Sequence, residues 1–106
     1  MNGSSHDVSH MSLDGQEVYT LWDGEDNELC CARLLTPKDD DGYYIINLRH
    51  PRGEEPRPRK TYRIKINSDL ELAKTLAHRL VAKYSDGYGE LMDYLNKVGH
   101  RTDLND

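Results

Sequence analysis

The sequence predicts an α+β domain: a four-stranded antiparallel meander sheet followed by two C-terminal helices packed on one face. Three observations predict it. Four short runs rich in β-branched and aromatic residues come first, separated by turn-forming clusters. The apolar period then lengthens from two residues to between three and four, and stays there. All links but one are short, so consecutive strands pair as neighbours and only the helices are left to cover their apolar face.

The first run, Glu17 to Trp22 (EVYTLW), ends at the polar cluster Asp23-Gly24-Glu25-Asp26-Asn27. The second, Glu28 to Thr36 (ELCCARLLT), ends at Pro37 to Gly42 with its three consecutive Asp. The third, Gly42 to Arg49 (GYYIINLR), has the strongest β character. Pro51, Pro56 and Pro58 then forbid regular structure until about Arg59. The fourth, Thr61 to Ile66, alternates cleanly, with Tyr62, Ile64 and Ile66 on one face and Thr61, Arg63 and Lys65 on the other. In the third run, Tyr44, Ile46 and Leu48 are the better core set, which leaves Tyr43, Ile45, Asn47 and Arg49 outward.

Ser68-Asp69-Leu70-Glu71 reads as a capping box, with Ser68 at the N-cap and Glu71 at N3. Behind it Ala73, Leu76, Ala77, Leu80, Val81 and Tyr84 recur at helical spacing, which predicts a helix from about Asp69 to Tyr84. Ser85-Asp86-Gly87 breaks it. A second helix, about Tyr88 to Val98, carries the stripe Tyr88, Leu91, Met92, Leu95 and Val98 and stops at Gly99.

At 106 residues the chain makes one domain at most. Residues 1–11 are polar around an isolated Val8 and read as a disordered leader or cloning remnant before Met11. The domain is expected over 12–99, and 100–106 is expected to be a frayed polar tail. No apolar run approaches the ~20 residues that span a bilayer, so no membrane partner is expected. Cys30 and Cys31 are adjacent, and neighbours in a strand point to opposite faces. They read as reduced thiols, one buried and one less so, in a cytoplasmic protein.

Charge is the main functional clue. The chain has fourteen Lys and Arg against nineteen acids. Half of that positive charge lies between Arg49 and Lys65, as Arg49, Arg52, Arg57, Arg59, Lys60, Arg63 and Lys65, with only Glu54 and Glu55 opposing it. An acidic protein with one basic arm is electrostatically polarised and steers charged partners. If the third and fourth strands pair, Arg49, Arg63, Lys65, Asn47 and Tyr43 share one face. Cations, an amide and a ring on a sheet are what single-stranded nucleic-acid binders use to neutralise phosphates and stack a base. The same charges also suit an acidic protein surface, as in an inhibitor, adaptor or immunity-type module. The bland alternatives are a solvated strand face and an arm paired with its own acidic loops, Asp23 to Asp26 and Asp39 to Asp41.

The order of four strands and then a helix resembles that of small single-stranded-DNA-binding coactivator and Whirly-type domains, which pair through their helices. The likeness is one of architecture. Seven tyrosines and one Trp stand beside no Phe. Tyr84, Tyr88 and Tyr94 surround the helix junction, an expected homodimer surface. No glycine-rich phosphate loop, metal motif or HExxH is present, and no His has a partner identifiable by spacing. The expectation is therefore a binding protein and not an enzyme, with no cofactor.

Overall fold

The computed structural model describes residues 7–50, 60–98 and 101–105; for His50, Lys60 and 101–105 it describes the backbone alone. Six antiparallel strands form one sheet in chain order: β1 (Asp7–Leu13), β2 (Gln16–Trp22), β3 (Glu28–Leu35), β4 (Tyr44–His50), β5 (Lys60–Ile66) and β6 (Arg101–Asn105). Two helices, α1 (Leu70–Ser85) and α2 (Tyr88–Val98), lie between β5 and β6 and pack on one face.

The class, the meander and both helices are as the sequence predicts; the strand count is not. Asp7 to Met11 are not a disordered leader. They belong to β1, which pairs residue by residue with β2 from Asp7↔Trp22 to Leu13↔Gln16. Side chains lock that register. Trp22 Nε1 donates to Ser9 Oγ at 2.9 Å, and the His10 ring stacks on Tyr19 at 4.5 Å. Val8 packs against the core. The chain reverses at Asp14-Gly15, where Gly15 takes φ +82, open to glycine at little cost. Residues 101–105 likewise form β6, paired with β5 from Ile64↔Arg101 to Lys60↔Asn105, and are not a frayed tail. An edge strand needs only part of one face buried, so a polar sequence suffices to make it.

The core lies between sheet and helices. Tyr19 and Leu21 of β2, Ala32 and Leu34 of β3, Ile46 and Leu48 of β4, and Tyr62, Ile64 and Ile66 of β5 point to the helices. They meet Ala73, Ala77, Leu80 and Val81 of α1 and Leu91 and Leu95 of α2, all fully buried. The two alanines one turn apart let α1 approach the sheet closely. The cap of α1 differs from the expectation. Asp69, not Ser68, is the N-cap, and its side chain accepts from the Leu72 N–H at 2.8 Å. Asp and Ser cap about equally well, and an acid also suits the positive end of the helix dipole. Ser68 Oγ donates to the Asp69 carbonyl instead. Between the helices Gly87 takes φ +121, a conformation L side chains rarely adopt, and the chain turns there.

Candidate binding face

The helices leave the other face of the sheet uncovered. Strand register places Met11, Val18, Arg33, Asn47 and Arg63 in one cross-strand row. Arg49 lies in the adjacent row, between Cys31 and Thr61. Neighbouring strands are about 4.8 Å apart, so the backbones of Arg33 and Arg63 flank Asn47 about 10 Å from each other. Arg33 and Arg63 are exposed, and Asn47 and Arg49 are half-buried. Arg33 Nη1 donates to Gln16 Oε1 at 3.1 Å, which props its guanidinium along the sheet.

Of the expected site, the structure therefore brings Arg49, Arg63 and Lys65 to one face with Asn47. Arg33 joins them from a strand to which the sequence reading assigned no site residue. Arg52, Arg57 and Arg59 lie outside the described residues, as does the side chain of Lys60, whose backbone opens β5.

Lys65 and Tyr43 sit at the other end of the β4–β5 pair, away from the arm, and their setting is different. Lys65 Nζ is 3.8 Å from Asp39 Oδ2, 3.5 Å from Asp41 Oδ2 and 4.9 Å from the Tyr43 ring centroid. Asp39 Oδ1 accepts the N–H of Tyr43 at 2.8 Å and of Asp41 at 3.0 Å. The Tyr43 N–H is the largest influence holding the Asp39 carboxyl below its ordinary range; the Asp41 N–H, Lys65 and Arg63 add to it. The acidic loop thus folds back on Lys65 and compensates it. A ring already covered by an ammonium is a poor platform for a base.

Beside Lys65 is a cavity of about 390 Å³ lined by Tyr43, Asn67, Ser68, Leu72, Leu76 and Val98 together with Lys65 and Ile66. At the far end of the sheet Asp7, Trp22, Asp23 and Asp26 line a second, of about 280 Å³. Asp23 there is a turn-builder, as its Oδ1 accepts the N–H of Glu25 at 2.7 Å and of Asn27 at 2.9 Å.

The open face is not wholly polar. Val18, Thr20, Cys31 and Ile45 point to it and are only 9%, 7%, 4% and 4% exposed. Each sits in register beside a longer side chain: Val18 by Met11 and Arg33, Thr20 and Cys31 by each other and Arg49, Ile45 by Leu35 and Lys65. Both thiols are buried, Cys31 slightly less completely than Cys30, a smaller difference than opposite strand faces suggest. Both are free. Thr20 Oγ1 donates to Cys31 Sγ at 3.8 Å, and burial is the main effect pushing the Cys30 thiol up.

On the covered side, near β1, Ser12 Oγ donates to Glu17 Oε1 at 2.7 Å and His10 Nε2 lies 2.5 Å from the same oxygen. Glu17 is the hub, its carboxyl lowered chiefly by Ser12 and then by His10. A triad would need the hydroxyl on the imidazole with the acid behind it; here both hydrogen-bond the acid. Among the described residues no group of three His, Cys, Asp or Glu is placed to hold a metal ion, and no helix is long and apolar enough to cross a membrane. No family model, curated protein or solved structure matches the chain.

Proposed function

We propose that the protein is a small non-enzymatic binding protein whose open sheet face takes a stretch of single-stranded nucleic acid. The observation that carries this reading is the in-register row Arg33–Asn47–Arg63 with Arg49 beside it. Guanidinium groups neutralise phosphates while releasing counterions, and an amide between them can hydrogen-bond a base or sugar edge. Arg52, Arg57, Arg59 and Lys60 follow Arg49 in sequence and belong to the same run of positive charge. Lys65 and Tyr43 fall outside the contact surface in this reading, because Asp39 and Asp41 already occupy Lys65.

The test is fluorescence anisotropy with a short labelled oligonucleotide, DNA and RNA in turn, titrated at several salt concentrations. Binding that weakens linearly on a log–log salt plot is expected. No binding at low salt would end this reading.

A second reading is favoured by a specific observation. Met11, Leu13 and Leu35 are among the exposed large apolar residues and all lie on the same face as the arginines. Apolar side chains beside arginine suit a protein partner with an acidic patch, in the manner of an adaptor or inhibitor. Affinity purification from the source cell checks it. A stoichiometric partner that is lost with Arg63→Glu supports protein docking, and oligonucleotide binding without such a partner counts against it.

A further inference from the structure

The two edges of the sheet are built differently. β6 has five residues, with Arg101 and Asp103 in its sequence. β1 has seven, runs along β2 without a register shift, and contains no Pro, Lys or Arg. Shortness, bulges, prolines and lysines are the devices that keep an exposed edge from pairing with another chain. β1 has none of these, and among the described residues no strand lies on its outer side. Its outward N–H and C=O groups are a template for a further strand. Met11 is 58% exposed and Leu13 44%.

We propose that the β1 edge binds a second copy of this chain, β1 against β1 in antiparallel pairing, which joins two sheets into one. The strand is self-complementary. Overlap along all of Asp7–Leu13 puts His10 on the two-fold axis and sets Asp7 of each copy opposite Leu13 of the other, so no carboxylates face each other. A two-fold perpendicular to the sheet keeps side chains on their own face. Met11 of each copy then faces Ser9 of the other, and the two Met11 become diagonal neighbours about 7–8 Å apart, which removes both from water. Each His10 on the axis keeps its hydrogen bond to Glu17 at 2.5 Å, so both rings of the central pair are already partnered. Such an interface is isologous and closes at two copies, whereas β1 against β6 would be heterologous and build rings or filaments. The dimer sets both arginine rows on one continuous face, but the inference stands on the edge itself and not on what that face binds.

Sedimentation velocity of the full chain over about two decades of concentration tests it, with amide hydrogen exchange at both extremes. A monomer–dimer equilibrium is expected, with β1 amides gaining protection as concentration rises and α1, α2 and β6 amides unchanged. Met11→Lys places two ammonium groups diagonally across the axis and raises Kd by about tenfold or more. A monomer at every concentration overturns the proposal. So does a dimer whose new protection falls on the helices or β6. If Met11→Lys disturbs β1, exchange on the unmodified chain decides the matter alone.

Discussion

The two faces of the sheet come from the same alternating strands and have been put to different uses. The centre of the face under the helices is closed and nearly all aliphatic or tyrosine, with Leu34, Ile46, Leu48 and Ile64 fully buried. The open face keeps its small buried residues near the strand backbones and lifts Arg33, Arg49 and Arg63 above them. Burial selects shape and volume on the first face. On the second it constrains only the residues close to the sheet and leaves the long side chains free to carry charge. Stability and binding should therefore separate by face.

The largest effect that tests this separation is on the covered face. Leu80 of α1 is fully buried amid the sheet–helix core. Leu80→Ala removes its methyl groups and leaves a cavity, a loss of about 2–5 kcal/mol. Urea unfolding should show that loss, while oligonucleotide affinity of the remaining folded protein stays the same. An affinity that fell in step with stability would mean that the two faces are not independent.

The next effect belongs to the open face. Removing both Arg33 and Arg63 to Ala should lower the log–log salt slope of binding by about 1.4, roughly 0.7 for each phosphate contact on a single strand. Each change alone should shift stability by no more than about 0.5 kcal/mol, as exposed surface substitutions do. Lys65→Ala is the control. Its charge is compensated by Asp39 and Asp41, so the slope should hardly move. A slope carried by Lys65 rather than by Arg33 and Arg63 would reverse the assignment of the two ends of the face.

What could be read from the sequence follows from how far apart the contacting residues are. The fourth strand alternates Tyr62-Arg63-Ile64-Lys65-Ile66, so its phase was plain, and both helices showed their period over two or more turns. β3 hides its phase. Leu29-Cys30-Cys31-Ala32 is apolar at four successive positions, because both faces of the strand are buried at Cys30 to Ala32, and the side on which Arg33 falls is masked as a result. Phasing that strand from Leu34 would have found it. β1 does not show in the sequence because Ser, His and Asp dominate it; its place is fixed by partners in β2, Trp22, Tyr19 and Glu17, that local composition does not reveal. The compensation of Lys65 is one of the alternatives the charge pattern offers, a basic segment paired with the Asp39 to Asp41 loop; which cation takes that part is not local information, since these acids lie more than twenty residues away in the chain and meet Lys65 only once β4 and β5 pair.

The smallest effect sharpens that last contrast, between a lysine ion-paired with its own loop and arginines that form no ion pair among the described residues. Asp39 is the organiser of the loop, with Oδ1 on two backbone N–H groups and Oδ2 toward Lys65. Its carboxyl is lowered in the folded protein, first by the Tyr43 N–H. A carboxylate lowered on folding binds protons less tightly than in the unfolded chain, so it stabilises the fold above the ordinary Asp range. That contribution fades as pH falls through the lowered value. Asp39→Ala should therefore be less stable than the parent at neutral pH, and the two should converge on acidification below about pH 4. Urea midpoints at pH 7 and in that acidic range measure the difference. Adding Asp41→Ala, whose Oδ2 is the nearer carboxylate oxygen at 3.5 Å, frees Lys65, so oligonucleotide binding of the double variant at neutral pH should strengthen and its salt slope should rise toward one additional contact. A gap in stability that stayed constant with pH would show that Asp39 acts through loop geometry alone. Unchanged binding would place Lys65 outside the contact surface even when uncompensated.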